Sequence, residues 1–142
     1  PDFYESGTPN AVGLAGLAAA ARWVLARGVD AIRAHQIAVG QRLSDGLRAI
    51  PGVEVYGPRE ARRRVSPVSF NIAGMAPSEV GLRLDDEHGI LCRAGLHCAP
   101  AAHRTIGTFP RGAVRFAPGA FTTEEEIGQA LAAVAGLARG VG

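Results

Sequence analysis

Two long stretches near the start of the chain are rich in apolar residues, which in the second stretch recur at steps of three and four. The first stretch is rich in alanine and leucine and predicts a helix over residues 9–27, with Thr8 as its N-cap, Pro9 at its first position and Gly28 at its end. The second stretch predicts a helix that ends at Pro51, with one side formed by Ile32, Gln36, Val39, Leu43, Leu47 and Ile50.

Shorter apolar or alternating segments follow these two helices. They predict strands at residues 53–56, 65–72, 90–93 and 113–117, and a third helix at residues 77–88 lies between the second and third strands. Because each strand is short and the helices are interspersed with them, we expect the strands to form one small sheet.

A last helix begins at Thr122, which we predict forms a capping box with Glu125. Its buried side consists of Ile127, Leu131, Val134 and Ala138. The resulting order is helix, helix, strand, strand, helix, strand, strand, helix. This order predicts an α+β fold in which a small antiparallel or mixed sheet carries helices packed on one face.

The composition adds limits on function. The chain has 142 residues, of which 47% are hydrophobic and 20% charged, as in a folded domain. A formal charge of +2 and a single basic cluster at residues 62–64, which we interpret as a solvated loop, do not indicate a nucleic-acid partner. No apolar run is long enough for a membrane span, and the first residues lack a secretion signal. We predict a cytoplasmic protein.

All fifteen lysine and arginine residues of the chain are arginine. Any reaction that requires a lysine therefore needs one from another segment or another chain. The sequence also begins at Pro1 rather than at a methionine, so we expect it to be a fragment of a longer protein.

Cys98 is the candidate nucleophile. A cysteine reacts as its thiolate, which cationic neighbours, backbone N–H groups and some exposure favour. Arg93 and His97 supply the neighbouring cations, and Gly95 permits unusual backbone angles. The alternative is a small buried apolar residue, which is the interpretation we give to Cys92 inside its predicted strand.

Two clusters resemble metal sites only superficially. His97, Cys98 and His103 offer three ligands without a convincing fourth, so we predict no metal site there. The acidic residues and the histidine at residues 85–88 close a predicted helix, where a solvated surface explains them.

Arg115 and the segment before the first helix are candidates for binding anions. An arginine within a strand presents a planar pair of donors to a carboxylate, unless it simply faces solvent. Gly7 and Thr8 precede a helix, where free N–H groups and a hydroxyl suit a phosphate, unless they only cap the helix. The sequence by itself leaves both alternatives open.

Five segments in a fixed order carry a resemblance to a known family: ESGTPN at 5–10, VSFN at 68–71, RAGLHCAP at 93–100, Arg115, and TEEEI at 123–127. They resemble the C-terminal part of a cysteine desulfurase, in the selenocysteine-lyase-like branch of the class V aminotransferase family. Members of that family are fold type I enzymes that use pyridoxal 5'-phosphate. The resemblance covers essentially the whole chain, and RAGLHCA is its most specific piece.

The resemblance implies roles for four residues of this chain. Cys98 would take sulfur from L-cysteine as a persulfide and release alanine. Arg115 would bind the carboxylate of the substrate, and Arg93 and His97 would lie beside substrate and thiol. A sulfur-acceptor protein would then receive the sulfur.

The resemblance also implies partners for the chain. Gly7 and Thr8 would bind the cofactor phosphate of the other subunit in a homodimer. Residues 1–142 would form the small C-terminal domain alone, while the large domain with the cofactor-binding lysine lies outside the chain. The chain would then be inactive by itself. Another class V reaction, such as transamination or selenocysteine lysis, and a non-catalytic interaction module with the same fold are the alternatives.

Overall fold

The structure, a computed structural model, describes residues 2–4 and 7–140, with only the backbone of Asp2 and Ala61. Within these residues a short 3-10 turn at Asp2–Tyr4 precedes the regular elements. The elements are α1 (Ala11–Arg27), α2 (Val29–Ala49), β1 (Val53–Tyr56), β2 (Val68–Ile72), α3 (Pro77–His88), β3 (Arg93–Gly95), α4 (Pro100–Thr105), β4 (Ala113–Phe116) and α5 (Glu124–Arg139). The chain divides into two compact units, Pro1–Ala34 and His35–Gly142.

The first unit contains α1 and the start of α2. The predicted N-cap at Thr8 is wrong, because Asn10 caps α1 by accepting a hydrogen bond from the Gly13 N–H to its side-chain oxygen at 2.9 Å. Gly28 ends α1 as predicted, with a φ of 84°, and α2 starts at the next residue. No residue of α1 is buried.

No single helix among the described residues is long and apolar enough to cross a bilayer. Only α1 and α2 taken together, with their break at Gly28, have the required length and composition.

The second unit is built around one four-stranded sheet with the order β1-β2-β4-β3. All three strand pairs are antiparallel, which decides between the antiparallel and mixed sheets that the sequence allowed. Phe70 pairs with Val55 on one side and with Val114 on the other. Residues in register share a face of the sheet, so these three form an apolar row.

Three helices supply the rest of the core. The buried apolar side chains that they contribute are Val39, Leu43 and Leu47 from α2, Val80 and Leu84 from α3, and Ile127, Ala133, Val134 and Leu137 from α5. Gly81 of α3 lies so close to the sheet that a methyl group on it would be 3.3 Å from the Cβ of Ala94. The predicted α+β fold with helices packed on one face of the sheet is confirmed.

The predicted third strand was placed too early. Gly89 adopts a left-handed backbone that ends α3, and the Ile90 N–H still donates to the Leu84 carbonyl at 2.9 Å. Residues 90–92 therefore lie outside the sheet, and pairing begins at Arg93. The second strand likewise starts at Val68 and not at residue 65.

The capping box of the last helix is shifted by one residue. Thr123 and Glu126 form it, whereas the hydroxyl of Thr122 accepts a hydrogen bond from the Gly119 N–H at 2.9 Å.

The loop at residues 62–64, which was predicted to be solvated, also needs a correction. Arg64 is half-buried and donates to the Gly40 carbonyl at 2.7 Å. The sequence did not predict α4, whose six residues are too few to show a helical period.

Candidate active site

Two arginines face each other on the sheet surface opposite the core. Arg93 of β3 and Arg115 of β4 are partners in the strand register, and Ser69 of β2 completes the row. Like charges in register repel each other. Neither guanidinium joins the two ion pairs found in the described part of the chain, and the buried Nε of Arg115 has no hydrogen-bond partner. This row is therefore suited to an anion, and a carboxylate matches the guanidinium fork.

The loop after β3 carries Cys98 in an unusual backbone conformation. Gly95 has a φ of 109°, and His97 and Cys98 have φ values of 52° and 58°. A side chain in this left-handed region costs about 1–3 kcal/mol, and such residues cluster at functional sites. The Ala99 N–H closes the loop by donating to the Leu96 carbonyl at 2.8 Å. The predicted freedom at Gly95 is confirmed, and His97 and Cys98, two and three residues further on, also have left-handed backbones.

His97 connects this loop to the two arginines. Its Nε2 lies 3.2 Å from the carbonyl oxygen of Arg93, which only accepts, so Nε2 carries the hydrogen. Burial lowers the pKa of His97, and the positive charges of Arg115, His103 and Arg93 lower it further, against the opposing effect of that hydrogen bond. His97 is thus favoured in its neutral form beside a cationic surface.

The two cysteines differ as predicted. Cys98 is exposed, whereas Cys92 is half-buried against the core. Burial raises the pKa of the Cys92 thiol, and the charge of Asp85 adds to this effect. Cys92 is not in a strand, but it has the apolar surroundings that were expected of it.

His103 and Thr108 form a buried pair that the sequence did not reveal. The Nδ1 of His103 and the hydroxyl oxygen of Thr108 are 2.6 Å apart, and both residues are buried.

The described residues contain no group of three side chains placed to hold a metal ion. Residues 85–88 are exposed at the end of α3, in keeping with the solvated surface that was predicted.

Gly112 brings the start of β4 against the end of β3. It has a φ of 79°, and a methyl group on it would lie 2.3 Å from the carbonyl carbon of Gly95. Only glycine allows this approach, which places the loop before β4 next to the loop with Cys98. The sequence contains nineteen glycines and does not single this one out.

A cleft of about 280 Å³ opens on the same face of the sheet. Its polar lining includes Glu54, Tyr56, Asn71 and Arg111. The Tyr56 hydroxyl donates to Glu54 at 2.9 Å and accepts from the Asn71 amide at 3.2 Å. Burial, followed by the hydrogen bond to Glu54, raises the pKa of Tyr56. The side-chain oxygen of Asn71 is buried without a partner.

Gly7 and Thr8 lie in the first unit, outside any helix and before the N-cap Asn10. Both are exposed, and a methyl group on Gly7 would meet no atom within 4 Å. Within the described residues the Thr8 hydroxyl is not engaged in a hydrogen bond. An open backbone beside an uncommitted hydroxyl fits a phosphate group. Glu5 and Ser6, which belong to the same motif, lie outside the described residues.

The family model for aminotransferase class-V matches residues 1–130 of the chain. The chain belongs to this family. Its relatives include a probable cysteine desulfurase 2 from Mycobacterium leprae, which is 37% identical over 134 residues, or 94% of this chain and 31% of that protein. A probable cysteine desulfurase from Pyrococcus abyssi is 33% identical over 127 residues, or 89% of this chain and 31% of that protein.

Solved structures of cysteine desulfurases have the same fold. The apo enzyme from Thermococcus onnurineus superposes with a TM-score of 0.89 at 34% identity, over 99% of this chain and 34% of that one. The enzyme CsdA from Escherichia coli gives 0.79 at 27% identity, over 92% and 31% of the two chains. The resemblance to cysteine desulfurases is thus confirmed, and the chain spans about a third of the length of these relatives.

Proposed function

We propose that this chain is the small C-terminal domain of a cysteine desulfurase that uses pyridoxal 5'-phosphate. The observation that carries the proposal is the arginine pair on the face of the sheet opposite the core, which we call the open face. Arg93 and Arg115 are in register and have no carboxylate partner among the residues that the structure describes, and the strained loop that presents Cys98 follows directly after β3. An anion site beside an exposed thiol is what a reaction on L-cysteine requires.

In the proposed reaction Arg115 binds the carboxylate of L-cysteine, and Arg93 and His97 border the bound substrate. The Cys98 thiolate attacks the sulfur atom of the substrate. A bond forms between the two sulfur atoms as the carbon–sulfur bond of the substrate breaks, and the electron pair of that bond leaves with the three-carbon fragment. Protonation of this fragment gives alanine, while Cys98 retains a persulfide.

Pyridoxal 5'-phosphate supplies the electron sink that makes this carbon–sulfur bond breakable. We propose that Gly7 and Thr8 bind its phosphate in the partner subunit of a homodimer, since both are exposed and, among the described residues, the Thr8 hydroxyl has no hydrogen-bond partner. The chain contains no lysine, so the covalent attachment of the cofactor belongs to a residue elsewhere in a longer protein.

Three observations support the assignment as one domain of a longer enzyme. The chain spans about a third of the length of its relatives, it lacks lysine, and α1 exposes Val12, Leu14, Leu17 and Leu25. We therefore propose that a large domain covers α1 and that residues 1–142 alone are inactive. We also propose that the exposed Cys98 passes its sulfur to the thiol of an acceptor protein. The two free cysteines support a location in the reducing cytoplasm.

The test uses the full-length protein that contains this chain, loaded with the cofactor and supplied with L-cysteine. We expect one alanine for each sulfur transferred, and a persulfide on the peptide that carries Cys98. Cys98→Ser should reduce sulfur release to background, while the matched control Cys92→Ser retains it. Arg115→Gln should raise the KM for cysteine by about 10- to 100-fold, because hydrogen bonds to a charged group contribute about 1.5–3 kcal/mol.

The alternatives predict other outcomes. A class V transaminase would form a keto acid, and Cys98→Ser would leave its rate nearly unchanged. A selenocysteine lyase would release selenium from selenocysteine but no sulfur from cysteine. A non-catalytic module would give no product with either substrate, and any of these results would refute the desulfurase proposal.

A further inference from the structure

His103 is the one buried ionisable side chain among the described residues, and the reaction proposed above does not use it. It belongs to α4, the short helix that follows the loop at residues 96–99, which we call the Cys98 loop. Its ring nitrogen Nδ1 is 2.6 Å from the hydroxyl oxygen of Thr108, which is buried as well. Its carbonyl oxygen accepts the Thr108 N–H at 2.9 Å and the Phe109 N–H at 3.2 Å. His103 is therefore fixed to the next loop by both its side chain and its backbone.

The ring of His103 also packs against the ring of His97. Their centroids are 5.6 Å apart, and the ring planes are inclined by 52°. His97 is held on another side by the Arg93 carbonyl, to which its Nε2 donates at 3.2 Å. The position of the His97 ring is thus set by one hydrogen bond and by contact with a buried ring whose own orientation is fixed.

The backbone connects the same residues. The His103 N–H donates to the Ala99 carbonyl at 3.2 Å, and the Ala99 N–H donates to the Leu96 carbonyl at 2.8 Å. Between these bonds lie His97 and Cys98, whose left-handed backbone is unfavourable for residues with a side chain. Such a conformation persists only where the surrounding contacts enforce it.

We propose that His103, oriented by Thr108, is a positioning residue that holds the Cys98 loop in its reactive conformation through the ring of His97. His103 itself touches neither substrate nor thiol in this proposal. The proposal rests on the proposed function for the reaction that the loop serves, but the ordering of the loop is measurable without that reaction.

The test compares three variants of the full-length protein. Thr108→Val has nearly the same shape but lacks the hydroxyl, so it frees the His103 ring. Thr108→Ser restores the hydroxyl and should restore the wild-type behaviour. Thr105→Val is the matched control, because it removes a hydroxyl that donates to the Ala101 carbonyl at 3.1 Å on the exposed side of the same helix.

We expect Thr108→Val to lower kcat for cysteine by about 10-fold or more, since small misplacements of reacting groups have effects of this size. The KM should change less than kcat does, because Arg115, which binds the carboxylate of the substrate, is untouched. Amide hydrogen exchange in residues 93–100 should become at least about 10-fold faster than in the wild type or in Thr105→Val.

Two results would overturn the proposal. One is unchanged exchange in residues 93–100 of Thr108→Val, and the other is a lowered melting temperature with kcat unchanged, which would leave His103 a structural role only. If the wild-type protein has no desulfurase activity, the proposed function fails. The exchange measurement then still decides whether His103 orders the loop.

Discussion

On the face of the sheet that the helices cover, Val68, Phe70 and Val114 are at most 2% exposed. Ser69 and Arg115, their neighbours along the same strands, belong to the opposite face and are only half-buried. The two faces therefore alternate residue by residue along β2 and β4, as side chains do in any strand. One set of residues forms the core, and the other forms the surface on which we place the chemistry.

Buried polar atoms without a partner occur on both sides of the sheet, and the hydroxyl of Ser44 in α2 is one on the covered side. The open face contains the unpaired oxygen of Asn71 and the unpaired Nε of Arg115. A buried polar group without a partner costs about 1–3 kcal/mol. On the open face one of these groups belongs to an arginine, whose free donor is suited to a charged ligand.

The largest expected effect comes from the covered face. Phe70→Ala should lower the free energy of unfolding by about 3–5 kcal/mol, because it removes a fully buried ring from the centre of the core. Ser69→Ala, the adjacent position on the open face, should change it by less than about 0.5 kcal/mol. Urea unfolding of the full-length protein and its variants measures both. Similar losses for the two variants would contradict the division into two faces.

A smaller effect is expected where Gly112, just before β4, lies against Gly95 at the end of β3. Gly112→Ala should lower the free energy of unfolding by about 1–3 kcal/mol from its left-handed backbone alone, and by more because its methyl group would contact Gly95. Gly107→Ala is the control, since Gly107 has a φ of 78° and open space around it. Thermal unfolding would measure the difference between the two. Equal losses would mean that the approach to Gly95 contributes nothing.

The smallest effect is a pH dependence on the open face. Because burial lowers the pKa of His97 below its ordinary value of 6.5, the unfolded chain binds a proton more readily than the folded one. The contribution of His97 to stability is therefore fully present above pH 6.5 and is lost as the pH falls through its folded-state pKa. His97→Gln should flatten this part of the stability profile, measured by urea unfolding at a series of pH values.

Arg115→Gln provides a second check on His97. Removal of a nearby positive charge should move the pKa of the His97 ring towards its ordinary value, as followed by NMR titration. A pKa that stays in place would show that the charge of Arg115 does not contribute to the lowered pKa of His97.

The sequence predicted the long elements well, because a period of three to four residues repeats over many turns in α2 and α5. It was less accurate where a single side chain sets a boundary. The choice of Asn10 over Thr8 and of Thr123 over Thr122 as caps depends on which oxygen reaches a free N–H group, and neighbouring polar residues look equivalent in a sequence. The helix α4 was missed for a related reason, since six residues show no period.

For the site, the motif RAGLHCAP and Arg115 supplied a candidate thiol and candidate anion-binding residues, but not whether they lie close together. The register that sets Arg93 opposite Arg115 joins residues 22 positions apart and depends on how β3 and β4 pair. The same holds for the contact between Gly112 and Gly95.

By itself the sequence determined the class of fold, the two different cysteines and the family, because these follow from local periodicity and from residues that lie next to one another in the chain. Only the tertiary structure decided the antiparallel order of the sheet, the row of Ser69, Arg115 and Arg93, and the close approach of Gly112 to Gly95. Hydrogen bonds and packing between distant segments fix these features, and no local pattern records which distant segment a strand or a ring will meet.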